Sequence, residues 1–78
     1  MGELAHFFYL QALARPRRFK RFPHEWGRRV AWFDPATNRR ISTKQAQQLF
    51  NSGEKVAYRY KGYIATIIHD PNGQTPTA

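Results

Sequence analysis

Five positive charges fall within the eight residues Arg15 to Phe22 (RPRRFKRF): Arg15, Arg17, Arg18, Lys20 and Arg21. Two arginine pairs follow, Arg28-Arg29 and Arg39-Arg40, and Arg59 stands between Tyr58 and Tyr60. A guanidinium is a planar fork that matches a phosphate or a carboxylate with two parallel hydrogen bonds. Closely spaced forks neutralise charge along an anionic track, which is the chemistry nucleic-acid backbones need. These residues are therefore the candidate contacts to nucleic acid or to an acidic partner. Phe19, Phe22, Trp26 and Tyr60 lie among them. If these rings point outward they stack on exposed bases. If they point inward they anchor a basic loop to the core, the commoner use of such residues. Five phosphate contacts from the Arg15–Arg21 segment predict a slope of log K against log salt of about −4.5 on duplex and about −3.5 on single strands.

Catalytic patterns are missing. His6, His24 and His69 lie far apart and show no metal-ligand spacing. His24 and Glu25 are neighbours, and neighbours on an extended chain point to opposite sides. The five acids are scattered, and Asp34 and Asp70 each precede a proline, where an aspartate starts a turn. The chain carries no phosphate-binding glycine loop and no nucleophile elbow. The expectation is a binding protein, with no enzyme activity, cofactor or metal.

Composition narrows the partner. Thirteen Lys and Arg against five Asp and Glu give a net charge of +8 and a pI near 10.7, and arginine outnumbers lysine nine to four. Such a field attracts polyanions: nucleic acid, acidic proteins or anionic lipid surfaces. There are no cysteines, which removes disulfides, thiolate zinc sites and thiol nucleophiles, and fits a reducing cytoplasm. No apolar run reaches the roughly 20 residues of a membrane span. Leu4–Ala14 is apolar, but its basic residues follow it, the reverse of a signal peptide. A chain of 78 residues allows one domain with one thin core.

The element that positions everything else is Ile41–Gly53 (ISTKQAQQLFNSG). Ser42 and Gln45 make a capping box, Ala46, Leu49 and Phe50 share one helix face, and Gly53 suits a left-handed stop. So short a helix with so narrow an apolar stripe needs a sheet to lie on. A hairpin is predicted on each side of it. In the first, a strand over Arg28–Phe33 turns at Asp34-Pro35-Ala36-Thr37-Asn38 and returns over Arg39–Ser42. In the second, Glu54–Tyr60 and Tyr63–His69 meet at Lys61-Gly62, which pairs Tyr60 with Tyr63, Tyr58 with Ala65 and Val56 with Ile67. Those six residues share the face the helix should cover. Ile64 and Ile68 then face the other way and need a second cover.

An apolar helix over Glu3–Ala14 is available for that role, either packed in the core or facing a partner. Pro16 and Pro23 bracket a basic extended loop over residues 15–27, in which Trp26 anchors a turn. The polar stretch 70–78 is expected to be a disordered tail. The prediction is one α+β domain over residues 1–69, in the order α-β-β-α-β-β, with an antiparallel sheet covered by one or two helices.

The run RRVAWFDPATNRRISTKQAQQLFNSGEKV spans 29 residues. Its paired arginines, aromatic-Asp turn and strand leading into a short helix resemble the N-terminal DNA-binding domain of polyhydroxyalkanoate synthesis regulators. The upstream asparagine motif of that family and its Asp-rich turn are absent here. The resemblance implies DNA binding by a hairpin and helix. Two other readings follow from size and charge. One is a small phage-type inhibitor that binds a host protein or nucleoprotein complex such as a polymerase or defence complex. The other is a ribosome- or assembly-associated subunit with a basic arm. DNA and RNA remain equal alternatives.

Overall fold

The capping box forms as read. In the computed structural model, which describes residues 15–76, helix α1 spans Thr43–Asn51. The Ser42 hydroxyl accepts from the Gln45 N–H at 3.1 Å, and the Ser42 N–H donates to Gln45 Oε1 at 3.0 Å. At the other end, Gly53 N–H donates to Phe50 O and Glu54 N–H to Leu49 O, each at 3.0 Å. This six-to-one and five-to-two pattern closes the last turn of a helix on a left-handed residue, here Gly53 at φ +82°.

Five strands form one mixed sheet: β1 Arg17–Phe19, β2 Ala31–Asp34, β3 Arg39–Ile41, β4 Val56–Tyr60 and β5 Tyr63–His69, in the order β1-β5-β4-β2-β3. Both hairpins are present. Asp34 starts the first turn by accepting the Ala36 N–H on Oδ1 at 2.9 Å and the Asn38 N–H on its carbonyl at 2.7 Å. Asn38 takes the left-handed position at φ +59°. The second hairpin pairs Tyr60 with Tyr63, Tyr58 with Ala65 and Val56 with Ile67. Its turn residues Lys61 (φ +49°) and Gly62 (φ +83°) are both left-handed, the mirror-image turn that matches strand twist. Gly62→Val is therefore expected to lower stability by about 1–2 kcal/mol. Lys61→Asn, which suits the same conformation, is expected to hold or raise the melting temperature. A thermal melt of the two variants checks the turn.

The chain is a small compact domain of the α+β kind, with a five-stranded mixed sheet and, among the described residues, one α-helix. Three expectations change. The sheet is not wholly antiparallel, because β1 runs parallel to β5 with Arg17, Arg18 and Phe19 opposite Ile67, Ile68 and His69. Residues 15–27 are not a free loop. Pro16 and Pro23 lie outside β1 and so take no ladder bond from it, while Phe19, Phe22 and Pro23 are buried. Charge hides this strand from a sequence reading: Arg17 and Arg18 are exposed, and Phe19 is its one buried residue.

Residues 70–74, after β5, are not a loose tail either. Asp70 N–H donates to Phe19 O, the chain turns at Asp70–Gly73, and Gln74 bonds to the far side of β1. There Gln74 N–H donates to Arg18 O at 2.8 Å, and Lys20 N–H to Gln74 O at 3.0 Å. The expected helix over residues 3–14 lies outside the described residues.

The core sits between α1, the segment Phe19–Trp26 and one face of the sheet. It comprises Phe19, Phe22, Trp32, Ala46, Phe50, Val56, Tyr58, Ala65 and Ile67, with Leu49 half-buried against it. The helix face is the one read from the sequence; of the six sheet residues expected beneath it, Val56, Tyr58, Ala65 and Ile67 are buried, Tyr60 is half-buried and Tyr63 is exposed. On the opposite face Ala57 and Thr66 are fully buried and Phe33, Ile64 and Ile68 half-buried. No helix among the described residues is long and apolar enough to cross a membrane.

Candidate nucleic-acid interface

Helix α1 is nine residues long, about 14 Å, and leaves part of its own sheet face uncovered. The part nearest the Lys61-Gly62 turn carries Tyr58, Tyr60 and Tyr63, placed on one side by strand alternation and by the Tyr60–Tyr63 pair. A 3₁₀ turn over His24–Trp26 brings Trp26 against them. The Trp26 and Tyr58 rings lie 4.7 Å apart at 55°, and the Tyr58 and Tyr63 rings 6.3 Å apart at 59°. Trp26 also stacks on Trp32 at 5.9 Å and 12°, which ties it to the core.

The result is a cleft of about 320 Å³ lined by Arg17, Trp26, Arg29, Val30, Tyr58, Tyr60 and Tyr63. Tyr58, only 3% exposed, forms the floor. Tyr63, 60% exposed, forms the rim, where Arg17 and Arg29 are also exposed. Among the described residues no carboxylate lines the cleft. Arg17 is held in place by its neighbours: Nη1 donates to Tyr58 Oη at 3.1 Å, and the guanidinium lies 5.0 Å from the Phe19 ring centre and 5.8 Å from that of Trp26. Arg29 Nη2 donates to the Glu25 carbonyl at 3.1 Å. Each guanidinium thus has part of its fork fixed from behind, which reduces the ordering cost when an anion binds.

The structure brings together only part of the basic set. Arg17 and Arg29 meet at the cleft. Arg15 and Lys20 are exposed at either end of β1, and Arg28 is exposed beside Arg29. Arg18 pairs in register with Ile68, hence on the opposite face, and makes an ion pair with Asp70 at 3.4 Å. Arg21 makes a two-pronged pair with Glu25. That hydrogen bond holds the Glu25 carboxyl below its usual range and raises the Arg21 guanidinium further. Arg59 lies on the opposite face with its guanidinium 5.5 Å from the Phe33 ring centre.

Arg39 and Arg40 occupy β3, the far edge of the sheet. Four strand spacings, roughly 19 Å, separate β3 from β1. The hairpin arginines and the Arg15–Arg21 segment therefore do not form one continuous edge. Charges on an exposed edge strand also discourage pairing with other chains, a sufficient reason for Arg39 and Arg40 to be there.

Among the candidate stacking rings, Phe19 and Phe22 are buried anchors, while Trp26 and Tyr60 are half-buried in the cleft. Tyr58 and Tyr63 escape a reading that looks for rings between charges. The signal was Tyr-x-Tyr before a two-residue turn and Tyr after it, which places three phenols on one face. Among the described residues no group of three His, Asp or Glu side chains is arranged to hold a metal ion.

Because Glu25 occupies Arg21, removing its charge frees a cation near the cleft. If the cleft takes nucleic acid, Glu25→Gln is expected to tighten that binding and to steepen its salt dependence by up to about one unit of log K against log salt. Titration at several salt concentrations checks this. An unchanged slope would place Arg21 off the phosphate path.

No family model, no curated protein and no solved structure matches the chain. The resemblance of residues 28–56 to the regulator family gains no support from this comparison.

Proposed function

We propose that this protein binds nucleic acid, without catalysing a reaction, through the arginine-flanked aromatic cleft and the exposed cations beside it. The observation that carries this reading is a cleft with two guanidiniums at its mouth and, among the described residues, four aromatic rings and no acid in its lining, on a chain of net charge +8. The cations supply affinity for phosphate and the rings supply a surface that any base can use. Titration of a labelled oligonucleotide at about 50 mM salt is the test, since phosphate contacts are least screened there. Binding that weakens steeply as salt rises is expected. In a pull-down, recovery of partners that is lost on nuclease treatment is expected as well. Absence of binding at low salt, with a nuclease-resistant protein recovered instead, would replace this reading with the inhibitor one.

A further inference from the structure

The shape of the cleft says which form of nucleic acid it suits. In a duplex the faces of the bases are covered by their neighbours, and a groove offers only base edges and phosphates. In this cleft Tyr58 is buried, Trp26 stacks on Trp32 with the Arg17 guanidinium over its ring, and Lys61 stands over Tyr60, so the ring face open to a ligand is that of Tyr63, 60% exposed. A ring can use such a surface only after leaving its own stack. We propose that the cleft captures one unpaired base, so that the ligand class of this site is single-stranded nucleic acid. The proposal rests on the nucleic-acid reading and narrows it.

Ring geometry limits the number of bases. Trp26 and Tyr63 are inclined at 55° and 59° to Tyr58, so no base plane lies flat on Tyr58 and on either neighbour together. One base rests against one wall, and its edge meets the others. Tyr63 is the wall with the most free area. Arg17 and Arg29 at the mouth face the phosphates that flank the captured nucleotide. Arg17 is already steered there by Tyr58 Oη and by the Phe19 and Trp26 rings. Binding here reads no sequence, because every base has a face to stack.

The test compares three ligands of about 12 nucleotides per strand: oligothymidylate, an abasic strand with the same number of phosphates, and a duplex. Oligothymidylate is expected to bind roughly five- to a hundredfold tighter than the abasic strand, the range stacking of one base gives. Tyr63→Ala is expected to abolish that preference while leaving abasic binding and the salt slope unchanged. Tyr63→Phe is expected to keep it. Tyr63 is exposed, so Tyr63→Phe should melt as the wild type does, and Tyr63→Ala should stay folded with only the small loss of its cross-strand pair with Tyr60. Equal binding of the abasic and base-bearing strands overturns base capture and leaves nucleic-acid binding standing. Tighter binding to the duplex, or an equal loss for both single strands in Tyr63→Ala, does the same. No binding to any of the three overturns both.

Discussion

Phe50→Ala is expected to cost about 3–5 kcal/mol and to lower the melting temperature by more than about 12 °C. Phe50 is 1% exposed, sits in the last turn of α1, and meets Phe22 edge-on at 5.7 Å and His69 at 5.4 Å. It is where the helix, the segment after β1 and the end of β5 come together. A domain of 78 residues has roughly 4–12 kcal/mol of total stability, so the variant retains little or no folded population at the low end of that range. Gln48, two positions earlier on the same helix, is exposed. Gln48→Ala is expected to change stability by less than about 0.5 kcal/mol. Thermal melts of the pair check the helix face, and equal melting temperatures would mean the helix lies on the sheet by another side.

The second large effect is at Gly73. A β-carbon there would sit 2.6 Å from the Arg18 carbonyl oxygen and 2.9 Å from the Phe19 nitrogen, both backbone atoms that cannot step aside. Gly73→Ala is expected to push the Asp70–Gln74 turn off β1 and to cost about 1–3 kcal/mol, on the order of 10 °C in melting temperature. The bonds lost are those of Gln74 N–H to Arg18 and of Lys20 N–H to Gln74. Hydrogen exchange at these two amides is expected to accelerate more than at the amides of β4. Because β1 also carries Arg17 into the cleft, affinity for nucleic acid should fall with it. Protection of both amides at wild-type levels would contradict this account of the turn.

What the sequence made legible was local. Ser42, Gln45 and Gly53 mark α1 within one short stretch, and the Lys61-Gly62 turn sets the register of the hairpin on either side of it. The pairing of β1 with β5 was not legible, because Arg17 and Ile67 are fifty residues apart and an arginine on an edge strand looks the same as one in a solvated loop. The clip at Asp70–Gln74 was hidden for another reason. Asp-Pro-Asn-Gly announces a turn, but the bonds that fix Gln74 to β1 run between backbone groups and leave no side-chain signature. Among the candidate contacts, runs of charge were visible but their division was not. Adjacent strand residues face opposite ways, so Arg17 reaches the cleft while Arg18 turns to Asp70. The cleft itself gathers β1, the turn at Trp26 and the second hairpin, three segments that only the tertiary fold brings together.

In the proposed function Arg17 and Arg29 deliver the cleft to phosphates. The direct measurement is the salt dependence of single-strand binding for the wild type and for the Arg17→Gln/Arg29→Gln double variant, both confirmed folded by their melts. Each phosphate contact on a single strand contributes about 0.7 to the slope of log K against log salt. The double variant is expected to bind more weakly and with a slope flatter by about 1.4 units. An identical slope in the two proteins would contradict the claim, since it would mean that neither arginine displaces a counterion when nucleic acid binds.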